Sequence, residues 1–293
     1  MDKAKPEVPI TLSELDAARS RAKPRKSSGS DGLPVEFHTA TWDFTGPVLE
    51  RIARTLQKGE KLPEEMVHAN VSLLHKSDSA SPSSSQFRPI ALLNADYKLI
   101  AATLAARLAP LLSNLVDELQ TGFVPGRLIM ENLTLNRDLI DFCHDESHPL
   151  YMAFLDFEKA FDRVSWSFRD RVMESMGFPA SFIDAIRGLY ANSTNSLLIN
   201  SSISRAITQS RGVRQGCPLS PFLFALFAEP LGLLLRSLKA HEQDRPQCGI
   251  KLPLVQGEIV SRYRVAQPQS PRGLKETIPT VMIRQSEPMQ GAM

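Results

Sequence analysis

Residues 151–162 read Tyr-Met-Ala-Phe-Leu-Asp-Phe-Glu-Lys-Ala-Phe-Asp, a short apolar run that ends in a group of acidic side chains. The run up to Leu155 has the length and composition of a β-strand with a carboxylate, Asp156, at its end. Glu158 and Asp162 follow in a turn or short helix. Carboxylate oxygens are the ligands that Mg²⁺ prefers, and phosphoryl-transfer sites hold the ion through one or two of them. Taken alone, the pattern fits a solvated helix start better, because acidic side chains favour the positive end of the helix dipole.

A glycine-rich segment further along the chain carries a second pattern. Residues 211–221 read Arg-Gly-Val-Arg-Gln-Gly-Cys-Pro-Leu-Ser-Pro and lead into an apolar helix predicted from Leu219 to about Leu238. Gly212 and Gly216 allow the backbone to approach a neighbour closely. Such a loop can lie against a nucleotide or a template base, with the helix N-terminus behind it. An ordinary turn with a proline near the helix start is the competing explanation.

The rest of the chain mixes helical and strand patterns. The predicted elements are a helix capped by Thr11, helices over 97–115 and 131–143, a strand over 69–74 and a hairpin over 196–209. This mixture predicts an α+β fold. Beyond residue 254 the prolines are frequent and no period of 2 or 3.6 is sustained, so we expect a disordered tail over 254–293.

Composition limits the function classes. The 293 residues are 42% hydrophobic with a formal charge of +2, which fits a globular core and does not by itself identify a nucleic-acid-binding protein. Five cations between Arg19 and Lys26 form either a mobile arm or a phosphate-contacting one. The three cysteines lack metal-site spacing, which favours an intracellular location in the cytoplasm or nucleus. No apolar run reaches the roughly 20 residues that span a bilayer, so membrane insertion is not expected.

Five blocks of the sequence resemble one family in the same order. Residues 154–162 closely resemble the A motif of reverse transcriptases of non-long-terminal-repeat retrotransposons and their group II intron relatives, and residues 212–221 resemble the B motif. Upstream, Ser30-Asp-Gly-Leu-Pro34, Phe87-Arg-Pro-Ile-Ala-Leu92 and Gln120-Thr-Gly-Phe-Val-Pro-Gly-Arg127 look like the finger-region blocks. The resemblance runs from about residue 27 to about residue 253.

This resemblance implies the fold of a right-hand polymerase with fingers and a partial palm, the thumb being absent. The expected organisation is an N-terminal helix and basic arm over 1–26, a fingers-like region over 27–150, a partial palm over 151–253 and the tail. The implied function is RNA-directed DNA polymerase, in which a primer 3′-hydroxyl attacks a deoxynucleotide bound through Mg²⁺. The implied partners are an RNA template, a DNA primer and deoxynucleotides.

The resemblance also assigns roles to individual residues. Asp156 is the implied catalytic residue and binds both Mg²⁺ ions, helped by the backbone of Phe157. Phe161 is the implied steric gate that selects deoxynucleotides. The implied nucleotide-binding residues are Lys76, Arg88, Phe157, Phe161, Gln215 and Gly216. The implied template-binding residues are Gln120, Gly122 and Arg127.

One expected block has no counterpart. In the family, an aromatic-Ala-Asp-Asp hairpin follows the B motif and supplies further metal-binding carboxylates. This chain contains no Asp-Asp pair, and no aspartate follows Asp244. Because two Mg²⁺ ions repel each other unless several carboxylates share their charge, we expect a truncated polymerase domain that is inactive alone. The alternative is a catalytically dead remnant that acts at most as an RNA- or DNA-binding or scaffold fragment.

Overall fold

The computed structural model describes residues 7–76, 86–145, 152–240 and 280–283. In chain order the elements are α1 (Leu12–Arg21), α2 (Val35–Ala40), α3 (Trp42–Leu56), α4 (Glu64–Val67), β1 (Ala69–His75), β2 (Phe87–Leu92), α5 (Ala95–Leu115), α6 (Ile129–Asp145), β3 (Met152–Leu155), α7 (Ala160–Arg163), α8 (Trp166–Ser175), α9 (Ala180–Tyr190), β4 (Thr194–Ile199), β5 (Ser202–Ile203), β6 (Ile207–Thr208), α10 (Ser220–Ala240) and β7 (Thr280–Ile283). The mixture of helices and strands confirms the predicted α+β class.

The chain forms two compact units. Among the described residues, the first consists of residues 7–76, 86–125 and 159–230, and the second of residues 126–145, 152–158, 231–240 and 280–283. Most of the helices and the larger sheet therefore belong to the first unit.

The start of α1 shows why the sequence forms a helix there. The Thr11 hydroxyl accepts a hydrogen bond from the Glu14 backbone N–H at 3.4 Å, and the Glu14 carboxylate accepts one from the Thr11 N–H at 3.0 Å. This is the predicted capping box, which satisfies donors that a helix start leaves unpaired. Arg107 on α5 also donates to Glu14 at 2.7 Å, so the same carboxylate ties α1 to α5.

The larger sheet has the strand order β2-β1-β4-β5, with β6 also pairing with β4. Strand β1 pairs antiparallel with β2 and parallel with β4, so Val71 lies opposite both Ala91 and Leu197. The hairpin predicted over 196–209 turns at Asn200 and Ser201, whose φ angles of 48° and 63° suit a tight hairpin turn. The returning strand was predicted over 205–209, and the structure instead forms two short strands, β5 at Ser202–Ile203 and β6 at Ile207–Thr208.

The core of the first unit lies between helices α3, α5, α9 and the start of α10. Fully buried side chains include Leu56, Tyr97, Leu104, Phe182 and Leu223. Burial of a large apolar side chain contributes about 1.5–3 kcal/mol, so this cluster is the main source of the unit's stability. Helix α5 extends the helix predicted over 97–115 by two residues at its start.

The second unit contains α6, β3 and β7 and the last residues of α10. Strand β3 pairs parallel with β7, and Leu155 lies opposite Ile283. The predicted tail over 254–293 lies outside the described residues apart from β7, so its disorder stays a prediction. Within the described part of the chain, none of the helices combines the length and apolar character needed to cross a membrane.

Candidate active site

A cavity of about 500 Å³ opens on the surface of the first unit. Its lining residues are Leu73, Lys76, Phe87, Arg88, Pro89, Lys159, Asp162 and Gln215. The lining therefore combines three cations, one carboxylate and one amide with the apolar side chains of Leu73, Phe87 and Pro89. The volume lies within the roughly 300–1,000 Å³ of small-molecule sites, and the excess of cations suits an anionic ligand.

Two of the cations reach the cavity from neighbouring strands. Lys76 follows the last residue of β1, and its backbone N–H donates to the Gln86 carbonyl at 2.8 Å. Arg88 lies on β2 opposite Leu74 of β1. The antiparallel register therefore brings the two predicted triphosphate-binding side chains to the same end of the hairpin. Both side chains are exposed and can meet a ligand.

Helix α7 supplies the third cation and the carboxylate. Lys159 has a left-handed backbone with φ of 51° and stands at the N-terminus of α7. Asp162 lies within the same short helix. Burial raises the pKa of Asp162, whereas attraction to Lys159, a hydrogen bond with Gln215 and attraction to Lys76 act in the opposite direction. The carboxylate is thus held among the cations of the cavity.

The loop of residues 212–217 packs directly on this helix. The Gly212 N–H donates to the Val164 carbonyl and the Val213 N–H donates to the Phe161 carbonyl, both at 2.7 Å. Gly212 has φ of +81°, and a Cβ there would lie 2.8 Å from the Phe161 and Asp162 carbonyl oxygens. Glycine is therefore required at position 212 both for its backbone conformation and for the close approach.

The other end of the loop is bonded to β2. The Gln215 carbonyl accepts a hydrogen bond from the Ala91 N–H at 2.7 Å. Gly216 has φ of +111°, and a Cβ there would lie 2.6 Å from the Ala91 carbonyl oxygen. The loop is thus anchored at Ala91, three residues along β2 from Arg88, and the Gln215 side chain lines the cavity.

Phe161, the predicted steric gate, belongs to an aromatic cluster. Its ring stacks on Phe224 with centroids 5.1 Å apart and meets the edge of Phe123 at 6.4 Å. The ring is half-buried against the core and is not among the residues that line the cavity. The gate function stays a prediction.

The predicted metal-binding residue lies in the second unit. Asp156 and Phe157 follow β3, and both side chains are exposed, as is that of Glu158. Over residues 7–76, 86–145, 152–240 and 280–283, no three His, Cys, Asp or Glu side chains are grouped so that they could hold a metal ion. The described residues therefore do not fit a complete two-metal site.

The predicted template-binding residues do not line the cavity. Gln120 and Gly122 belong to a turn of the first unit in which the Gln120 N–H donates to the Asp117 carbonyl at 3.0 Å. Gly122 is buried, which favours a packing role for it. Arg127 belongs to the second unit, just before α6. Their contact with a template stays a prediction.

The structure brings three of the predicted nucleotide-binding residues, Lys76, Arg88 and Gln215, to one cavity, and their contact with a nucleotide stays a prediction. The sequence assigned no ligand contact to Lys159 or Asp162. The structure adds both side chains to the cavity. The signal for Lys159 was the mixture of acidic and basic side chains over residues 158–162. The sequence did not show which of these side chains would face a ligand.

Comparison with known proteins identifies this architecture. A family model described as "Reverse transcriptase (RNA-dependent DNA polymerase)" matches residues 74–249. The chain belongs to the reverse transcriptase family. It is a reverse transcriptase domain of non-LTR retrotransposon origin.

Curated relatives come from transposable elements. The chain is 37% identical over 230 residues to the transposon TX1 uncharacterized 149 kDa protein of Xenopus laevis, a match covering 78% of this chain and 18% of that protein. It is 28% identical over 241 residues to the Pol polyprotein of the type-2 retrotransposable element R2DM of Drosophila melanogaster, covering 82% of this chain and 22% of that protein. The chain thus spans about a fifth of the length of these relatives.

Proposed function

We propose that this chain forms the part of an RNA-directed DNA polymerase that binds the incoming deoxynucleoside triphosphate, with an RNA template and a DNA primer as partners. One observation carries the proposal: Lys76, Arg88, Lys159 and Gln215 come from four chain segments and line a single cavity. A relative at 26% identity, from the transposon X-element of Drosophila melanogaster, bears the name "Probable RNA-directed DNA polymerase".

The side chains of the cavity have chemistry suited to a nucleotide. The forked guanidinium of Arg88 and the ammonium groups of Lys76 and Lys159 bind the phosphates. The Gln215 amide and the backbone at Gly216 contact the sugar or base. Phe161, held by its aromatic neighbours, limits the space at the sugar 2′ position and so selects deoxynucleotides.

In polymerase terms, we assign residues 27–150 to the fingers and residues 151–253 to part of the palm. Strands β1 and β2 support the first assignment, because Lys76 follows β1 and Arg88 lies on β2, while the same sheet continues into β4, β5 and β6 of the second range. The template side, with Gln120, Gly122 and Arg127, belongs to the same proposal.

Reverse transcriptases use divalent metal ions. Asp156 and the Phe157 carbonyl are our candidates for contact with Mg²⁺, a cation that takes oxygen ligands. The described residues hold no group of three possible metal ligands, so they do not complete a two-metal site by themselves. We therefore expect the 293-residue chain to bind nucleotides without extending a primer.

The second candidate, a remnant that only binds nucleic acid or acts as a scaffold, has no observation in its favour over the first. A remnant that no longer bound nucleotides would have no functional reason to keep these cations around one cavity. The two candidates differ in one measurable property, the binding of a deoxynucleotide through the cavity cations.

Equilibrium binding of dATP to the full chain tests the proposal. Arg88→Ala is expected to weaken binding by about tenfold or more, because a charge-assisted bond to phosphate is worth about 1.5–3 kcal/mol. Lys76→Ala is expected to weaken it by about fivefold, since the lysine is a more strongly hydrated point charge.

Arg51→Ala is the matched control, because Arg51 is an exposed arginine on α3 that does not line the cavity. It should change dATP binding by less than about twofold, as expected for a screened surface charge. Equal binding by the Arg88→Ala and Arg51→Ala proteins would contradict the proposal. Salt-dependent RNA binding without any dATP binding would instead support the remnant.

A further inference from the structure

Arg214 is a buried cation directly beside the cavity residue Gln215. Its side chain is only 3% exposed, and its guanidinium lies over the Tyr97 ring, 5.5 Å from the ring centroid. Arg214 does not line the cavity and so cannot contact a ligand there. A different role is needed to explain an arginine at this position.

The guanidinium joins three separate segments. Its Nη2 donates to the Val67 carbonyl and, at 3.3 Å, to the Thr194 carbonyl, and its Nε donates to the Gln209 side-chain oxygen at 3.1 Å. Val67 is the last residue of α4, just before β1, and Thr194 is the first residue of β4. One side chain therefore links the starts of two parallel neighbouring strands to the segment that enters the loop.

The loop itself is a tight turn that begins at Arg214. The Cys217 N–H donates to the Arg214 carbonyl at 3.2 Å, which closes the turn around Gln215 and Gly216. The Gln209 side chain also donates to the Arg211 carbonyl at 3.0 Å, so the acceptor of Arg214 is itself fixed to the loop. The position of Gln215 thus depends on the bonds of the residue before it.

The environment of Arg214 is unfavourable for a cation kept only for stability. Its acceptors are two backbone carbonyls and one amide oxygen, none of them a carboxylate, and its Nη1 atom is buried without a hydrogen-bond partner. A buried charge that lacks an opposite charge is usually less stable than an apolar side chain of similar volume. A forked donor is nevertheless the group that can reach three acceptors in fixed directions.

We propose that Arg214 is a positioning residue of the nucleotide site: it fixes the turn of residues 214–217 on the starts of β1 and β4 and so holds Gln215 in the cavity. The inference rests on the proposed function of that cavity. Arg214 acts through Gln215 on the sugar and base side of the ligand. Lys76 and Arg88, which we assign to the phosphates, lie at the end of the β1–β2 pair away from Val67, and Lys159 lies at the start of α7. We therefore expect Arg214 to affect these three side chains much less than Gln215.

Arg169 provides a matched control within the same unit. It is 2% exposed, its Nη1 is also buried without a partner, and its guanidinium lies 5.1 Å from the Tyr190 ring centroid. Its bonded partner is Asp170 at 2.8 Å, and it reaches residues 212–217 only indirectly, through the Trp166 ring 5.8 Å away, whose Nε1 donates to the Gly212 carbonyl at 2.9 Å. Both arginines are buried, but only Arg214 belongs to the turn that carries Gln215.

The test compares Arg214→Lys, Arg169→Lys and Gln215→Ala in the full chain, with dATP and inorganic tripolyphosphate as separate probes. Arg214→Lys keeps the charge but cannot reach three acceptors, so dATP affinity should fall by about fivefold while tripolyphosphate affinity changes by less than about twofold. The Arg169→Lys protein should be destabilised but should bind both probes as the wild type does. Combining Arg214→Lys with Gln215→Ala should weaken dATP binding no more than Gln215→Ala alone, because Arg214 acts through the contact that Gln215→Ala removes.

Wild-type dATP affinity in the Arg214→Lys protein would overturn the inference, as would an equal loss in Arg169→Lys or additive effects in the double variant. If Arg214→Lys does not fold, Gln209→Ala removes one of the three bonds at a half-buried site and should reduce dATP affinity by about twofold to threefold; no reduction would overturn the inference. Failure of the proposed function is separate, because the wild type would then bind dATP no better than Arg88→Ala.

Discussion

The cavity of the first unit and the strand end that carries Asp156 contrast in how they are built. The cavity is formed by four segments whose backbones are bonded to one another, as at Ala91 and Gln215. Asp156 follows a four-residue strand and has an exposed side chain without a group of metal ligands among the described residues. The proposed nucleotide-binding part of the site is thus built by hydrogen bonds between segments distant in sequence, whereas the described residues around Asp156 form no group of three possible metal ligands.

The same sequence motif contributes to both regions. Residues 154–158 belong to the second unit, and residues 159–162 belong to the first. The sequence block of residues 154–162 is therefore divided between the two units. Substitutions in the cavity should affect folding and nucleotide binding together, whereas substitution of Asp156 should affect neither in the absence of metal.

The largest expected effect comes from Gly216→Ala. The added Cβ would lie 2.6 Å from the Ala91 carbonyl oxygen in a backbone with φ of +111°. We expect the free energy of unfolding to fall by about 2–4 kcal/mol, measured by urea denaturation, and dATP binding to fall by about tenfold or more.

Gly32→Ala is the control for this change, because Gly32 has φ of +74° with no atom within 4 Å of an added Cβ. Its cost should be limited to backbone strain of about 1 kcal/mol. An equal decrease in the free energy of unfolding for Gly216→Ala and Gly32→Ala would show that the loop does not lie against β2. The cavity would then not be held by the described backbone hydrogen bonds.

A smaller effect is expected from Asp162→Asn. Burial raises the pKa of Asp162 above its unfolded value despite Lys159, Gln215 and Lys76, so the folded state holds the proton more tightly and stability falls as pH rises through this interval. The Asn protein should therefore be more stable than the wild type at pH 7, by less than about 1 kcal/mol after solvent screening.

The difference between the Asp162→Asn protein and the wild type should vanish at a pH low enough to protonate the carboxylate in both states. Urea denaturation at several pH values measures it. A less stable Asn protein at pH 7 would mean that attraction to the cations outweighs burial.

The smallest effect is expected from Asp156→Asn. Its exposed side chain should change the free energy of unfolding by less than about 0.5 kcal/mol. Without metal, its dATP affinity should stay within about twofold of the wild type. A loss as large as that in Arg88→Ala would show that Asp156 contributes to the cavity itself.

Local rules predicted several elements well. The capping box at Thr11 and Glu14 gave the start of α1, and alternating apolar residues gave β1. The family resemblance predicted a common role for Lys76 and Arg88, and the antiparallel register of β1 and β2 explains how they come to line the same cavity.

Other features depend on long-range contacts that a sequence pattern does not contain. The left-handed backbone at Lys159 and the three acceptors of Arg214 come from packing between distant segments. The predicted helix over 131–143 exists as α6, but Leu133 and Ile140 are exposed on it by 54% and 46%. The spacing of apolar residues predicted the helix but did not predict which of its side chains are buried.

Primer extension by the purified 293-residue chain tests the central proposal most directly. We propose that the described residues form the nucleotide-binding part of the polymerase site and contribute Asp156, but no group of three possible ligands, to the metal-binding part. The chain is supplied with primed RNA, deoxynucleotides and Mg²⁺, after the same preparation has been shown to bind dATP through Arg88. We predict dATP binding without primer extension. Extension that disappears in the Asp156→Ala protein would contradict the claim.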